Sequence, residues 1–193
     1  MDHRRELIVL GFLIILIAIV YSGMEFWRTN LNETNVKSLV LEDLKTKHPD
    51  TAVGIISMEK ITEGNSTYYS IKAKVTKDYA TPCPVRIHYY YSYPEQNFVT
   101  RPPEYITKNC KVCTDSTCYL MFEEEAIIAS HTLKGTESIS NYIDENKGAY
   151  PKVEPDPKGW KITWKSPSSE IGYEIILSFK GEVIDLKQIK TLY

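Results

Sequence analysis

Tyr69-Ser70-Ile71-Lys72-Ala73-Lys74-Val75 is the stretch whose pattern decides the fold. Tyr69, Ile71, Ala73 and Val75 alternate with Ser70, Lys72 and Lys74, the period of two that marks a strand with one buried and one wet face. The rhythm recurs in Val85–Tyr93, where Val85, Ile87, Tyr89, Tyr91 and Tyr93 share one face and His88 and Tyr90 take the other. Val53–Met58 forms a strand on the other side, joined through the turn signal Glu63-Gly64-Asn65. Pro94 ends the tyrosine run, and Phe98–Ile106 can pair back as an edge because Pro102-Pro103 cannot donate to a ladder.

A sheet with one apolar face needs a cover. Val36, Leu39, Val40 and Leu44 fall at helical spacing just upstream, with Thr34 or Asn35 as the cap and Pro49 as the stop. The second half repeats this order. Tyr119–Phe122 reads as a short strand, and Glu123-Glu124-Glu125 suits a helix N-terminus ahead of Ala126, Ile127 and Ala129. Thr136 can cap a further helix carrying Ile139, Tyr142 and Ile143, which Gly148 terminates. Three strands then follow, through Trp160/Ile162/Trp164, Tyr173/Ile175/Leu177/Phe179 and Val183–Leu186, the last two joined tightly at Lys180-Gly181. The fold class is α+β, with two helix-plus-antiparallel-sheet units at residues 29–108 and 121–193 and a Cys-rich connection at 109–120. Neither unit could bury a large core alone, so the two are expected to pack together.

Residues 1–28 have a different character. Leu7 to Tyr21 is uncharged and apolar, and Ser22, Gly23 and Met24 extend the run to roughly 27 Å of helix, close to a bilayer core of about 30 Å. Arg4 and Arg5 precede it, and Phe26 and Trp27 follow at the position of an interface. The expectation is a single transmembrane helix spanning Leu7 to Met24, with the N-terminus inside and the remainder outside; a cleaved signal peptide ending near Val20-Tyr21-Ser22 is the alternative. The sequons Asn32-Glu33-Thr34 and Asn65-Ser66-Thr67 agree with an exterior location as candidate glycosylation sites.

Cys83, Cys110, Cys113 and Cys118 make an even set, which in an exported domain reads as two disulfides with three possible pairings. Cys83 opens one strand and Cys110 follows the next, which favours Cys83–Cys110 with Cys113–Cys118. An all-cysteine zinc site and a Cys110/Cys113 redox pair are the sharper alternatives. The net charge of −2 excludes a basic field for non-specific nucleic-acid binding. His3, His48, His88 and His131 form no metal-binding spacing, no serine sits in G-x-S-x-G, and the nine glycines build no phosphate loop, so neither catalytic residue nor cofactor is assigned.

Phe122-Glu-Glu-Glu-Ala126-Ile-Ile-Ala129, Gly159-Trp160-Lys-Ile162-Thr-Trp164 and Tyr173-Glu-Ile175-Ile-Leu177 leading into Gly181-Glu-Val-Ile-Asp185 resemble the PepSY-like, cystatin-related α+β domains. The resemblance covers about a third of the chain; the first unit matches it only in element order. It implies a helix across an antiparallel sheet, an extracytoplasmic setting and a non-catalytic role in binding or restraining other proteins, with no catalytic residue carried over. The functional expectation is a membrane-anchored protein-binding or scaffolding accessory whose partner is another envelope protein. Tyr89, Tyr90, Tyr91 and Tyr93 are the candidate contact residues, since tyrosine binds well at low entropic cost. A thiol or metal enzyme built on the cysteines with His88 or His131, and a glycan-binding module built on the tyrosine strand, are the other readings. Fourteen tyrosines, with high Ile, Lys and Glu usage and the sequons, suit an archaeal surface protein.

Overall fold

The alternation in 69–75 and 85–93 is realised as two long paired strands in a computed structural model, which describes residues 3–29, 32–64, 66–94, 99–113 and 118–191. The elements are α1 (His3–Thr29), α2 (Glu33–Lys47), β1 (Ala52–Glu63), β2 (Ser66–Lys77), β3 (Val85–Tyr93), β4 (Glu104–Tyr105), α3 (Glu123–Thr132), α4 (Glu137–Glu145), β5 (Tyr150–Asp156), β6 (Gly159–Lys165), β7 (Ile171–Ser178) and β8 (Val183–Lys190). They form two antiparallel four-stranded sheets, ordered β1-β2-β3-β4 and β5-β6-β7-β8.

In the first sheet, the register sets Ile71 opposite Tyr91, Ala73 opposite Tyr89 and Val75 opposite Ile87. Their shared face is covered by α2, whose Val36, Val40 and Leu44 are fully buried at spacings of four residues. Leu39, expected on that stripe, is instead exposed. The helix starts at Glu33 rather than beyond Thr34: the Asn32 side chain accepts from the Thr34 amide at 3.4 Å and caps it.

The second sheet has an element the sequence did not suggest. Tyr150–Asp156 pairs with β6 as an edge strand, where the missing amides of Pro151 and Pro155 are tolerable. Trp164, Ile162, Ile175 and Leu177 form the buried floor of this unit, covered by Ala126, Ile127 and Ala129 of α3 and Ile139 of α4. Trp164 donates its indole N–H to Ser130 Oγ at 2.9 Å, and Trp160 donates to the Leu120 carbonyl at 2.9 Å. Tyr119–Phe122, expected as a strand, is an extended segment held to the sheet through Leu120 N–H and the Phe179 carbonyl at 2.8 Å. At Gly159 and Gly172 a Cβ would collide with the Leu177 and Trp164 carbonyls, so the strands approach there only because neither residue has a side chain.

The N-terminal expectation needs correction. Among the described residues no helix is long and apolar enough to cross a membrane, so the architecture does not include the transmembrane helix expected over Leu7 to Met24. Residues 3–29 are helical. The large apolar side chains from Leu10 to Tyr21 are exposed.

Substituting Trp164→Ala should remove the largest fully buried side chain among the described residues and leave Ser130 Oγ with only its bond to the Ile127 carbonyl. A loss of about 3–5 kcal/mol is expected, read as a fall in the urea midpoint at unchanged slope.

Candidate functional site

β3 carries two chemistries on its two faces. Tyr89, Tyr91 and Tyr93 pack toward α2: Tyr91 is buried and donates its hydroxyl to Asp43 at 3.0 Å, Tyr89 lies tilted against His48 with ring centroids 5.1 Å apart, and Tyr93 packs at the edge of that core. Tyr90 projects from the opposite face. Its hydroxyl donates to Glu104 at 2.5 Å, and the Arg101 guanidinium lies 3.3 Å from its ring centroid. The four tyrosines therefore do not form one surface.

The face opposite α2 is polar, yet much of it is buried. Arg86 is 2% exposed and His88 4%, with Thr76 and Ser92 similarly enclosed. The cover comes from the second unit. Glu123, Glu124 and Glu125 occupy the first turn of α3, a favourable position beside the helix dipole. Lys74 donates to Glu123 at 3.1 Å and to Glu124 at 2.8 Å, and Thr76 donates to the same Glu124 oxygen. Arg86 lies 3.6 Å from the other Glu124 oxygen and donates to Glu125 at 2.6 Å. Phe122 closes the cluster, its ring centroid 4.0 Å from the Arg86 guanidinium carbon. Glu125 works in two directions, since its second oxygen accepts the Met121 and Phe122 amides at 2.7 and 3.2 Å.

Electrostatics follow from this enclosure. Burial opposes charge on Glu124, but hydrogen bonds from Lys74 and Thr76 outweigh it and hold the carboxyl below the usual range. His88 has no carboxylate within hydrogen-bond distance, and neither ring nitrogen is hydrogen-bonded among the described residues. Burial, with Lys72 and Arg86 nearby, lowers its pKa to about 4. This cluster is a joint between sheets, and its charges are spent on one another.

The cysteines lie beside that joint. Cys83 is bonded to Cys110 and Cys113 to Cys118, so no free cysteine remains, and Cys110 and Cys113 belong to different bridges. Cys118 Sγ fills the space where a Cβ of Gly181 would stand, at a turn whose φ is +77°. His131, on α3, directs Nε2 to the Pro82 carbonyl at 2.9 Å and lies 3.8 Å from Cys110 Sγ. Asn32 is exposed; its Oδ1 caps α2, which leaves Nδ2 for modification, whereas Asn65 lies outside the described residues.

No family model matches the chain, and no curated protein matches it. A solved structure described as a "putative lipoprotein" of Clostridium difficile 630 is 11% identical and covers 78% of this chain and 90% of its own, at a TM-score of 0.23. A likeness that weak carries no argument about the fold or role of this chain.

A different surface was not signalled by motif. Tyr119 is 62% exposed and Met121 64%, with buried Leu120 between them, and the Leu120–Phe179 backbone bond sets this segment beside exposed Phe179. Large apolar side chains so placed at the end of a sheet suit contact with another molecule. The short strand expected over Tyr119–Phe122 was the available signal, but it did not say which of its side chains would stay uncovered.

Glu124→Ala should leave Arg86 with Glu125 alone and Lys74 with the exposed Glu123, and cost about 1–3 kcal/mol in urea unfolding. Lys152→Ala, at the exposed Lys152–Glu154 pair, should leave the midpoint unchanged.

His88 predicts an acid response with a defined sign. Its folded pKa of about 4 lies below the ordinary value near 6.5, so between these the unfolded chain binds a proton that the native protein refuses. Stability should therefore fall as pH drops from about 6.5 to about 4, and this contribution should then level off. A histidine ring resonance titrating near pH 4, and a flatter stability profile in His88→Gln, would be the observations.

Proposed function

We propose that this chain is an extracytoplasmic, non-catalytic accessory protein that binds or scaffolds another envelope protein. The observation that carries the reading is the exposed apolar rim of Tyr119, Met121 and Phe179, borne on a frame whose buried charges are paired across the two sheets. Exposed aromatic and methionine side chains anchor protein interfaces, because a rigid frame spares the entropy of ordering them on contact. Two disulfides in the described structure support an oxidising compartment. The resemblance of Phe122–Asp185 to PepSY-like domains points to the same accessory role.

The rim replaces the tyrosine strand as the contact surface in this reading, since Tyr91 is enclosed beneath α2 and Tyr90 is engaged by Glu104 and Arg101. The purified protein, carrying a photo-crosslinker near Lys180, should give one dominant adduct in envelope extracts. The double substitution Tyr119→Ser/Met121→Ser should cut that adduct at least about tenfold, with the urea midpoint unmoved because both side chains are already in water. Equal adduct yield from the two proteins would remove the rim from the function.

A further inference from the structure

Cys83, Cys110 and His131 bring their ligand atoms within 4.8 Å of one another. These residues come from the loop before β3, the turn after β4 and the last turn of α3, so tertiary structure alone assembles them. Cys83 is exposed and Cys110 and His131 half-buried, so the group is reachable from solvent. His131 is fixed on one side by the edge of Trp164, with ring centroids 5.7 Å apart, and on the other by the Pro82 carbonyl. A disulfide serving only as a staple has no need of an oriented imidazole against one sulfur. The two sulfurs and the imidazole are also a recognised donor set for a borderline divalent cation.

We propose that the Cys83–Cys110 disulfide, once opened, becomes a Cys2His site for a divalent cation of the zinc type. The opening step takes two electrons and two protons from a dithiol reductant, which leaves as its own disulfide while Cys83 and Cys110 become thiols. Binding then expels both thiol protons as two sulfur–metal bonds and one nitrogen–metal bond form. His131 gives up its hydrogen bond to Pro82 and carries its proton on Nδ1, which frees Nε2. A tetrahedral ion with metal–sulfur and metal–nitrogen bonds of about 2.3 and about 2.0 Å sets edges of about 3.8 Å between sulfurs and about 3.5 Å from sulfur to nitrogen. The present 3.8 Å from Nε2 to Cys110 Sγ is already close to the second edge, so only the two sulfurs must separate. Solvent access at Cys83 leaves the fourth vertex to water. The site would report reduction of the protein by taking up metal, a property independent of the apolar rim.

The full chain, reduced with dithiothreitol, desalted without oxygen and titrated with Co2+, tests this directly. One equivalent should produce a thiolate-to-cobalt charge-transfer band with the d–d bands of a tetrahedral ion, and the oxidised protein should show neither. Cys113→Ala/Cys118→Ala should keep both features, and Cys83→Ala/Cys110→Ala should lose them. His131→Gln should shift the d–d bands and weaken binding at least about tenfold. The proposal falls if the reduced protein gives no band, if the band follows Cys113 and Cys118, or if His131→Gln leaves spectrum and affinity unchanged. It also falls if circular dichroism shows the reduced chain unfolded with Co2+ present, because the site exists only in the folded arrangement.

Discussion

Arg86 is the residue on which the arrangement of the two sheets depends. A guanidinium taken out of water costs several kcal/mol unless opposite charge and hydrogen-bond acceptors meet it. Its own sheet supplies neither. Both carboxylates come from the first turn of α3, together with the aromatic ring that lies over the guanidinium. Lys74 and Thr76 make the same demand from the neighbouring strand. The interface is thus fixed by directional bonds, in contrast to the apolar contacts that seat α2 on the opposite face.

This explains why α3 is buried nearly all round despite beginning with three glutamates. Ala126, Ile127 and Ala129 face the second sheet, Ile128 and Ser130 are equally enclosed, and Glu124 of the acidic turn is buried against the first sheet. Such a helix is a wedge between layers rather than an amphipathic lid. The open face of the second sheet, by contrast, is laced by Lys161, Glu174 and Lys187 and meets water. Tyr119 and Met121, at the edge of this polar face, are the more exposed apolar groups of that unit.

Much of the local architecture was legible because alternation is a backbone property: β2, β3, β6 and β7 follow their apolar residues, and Val36, Val40 and Leu44 fall on one helical face. β5 was hidden by its two prolines, which a central strand would reject and an edge accepts. The joint was hidden for a different reason. Arg86 and His88 sit at positions that alternation assigns to solvent, and only the second unit makes them interior. Period two separates the faces of a sheet but is silent on what later covers them. Glu123–Glu125 was correctly associated with a helix start, yet helix-dipole reasoning offered no partner at sequence separations near fifty. For the N-terminal segment, apolarity suggested a membrane span, whereas among the described residues no helix is long and apolar enough to be one.

Glu125 shares one carboxylate between the start of its own helix and a residue of the other sheet. Protein synthesis gives that division an arrow in time. A ribosome adds roughly 5–20 residues each second and releases the N-terminal unit first. The strand bearing Arg86 therefore leaves the exit tunnel seconds before the carboxylates that neutralise it. Until then the first sheet has a finished apolar side beneath α2 and a hydrated cationic side with no counterpart. Its completion waits on residues still being translated, and the helix that brings them is itself capped by the same group.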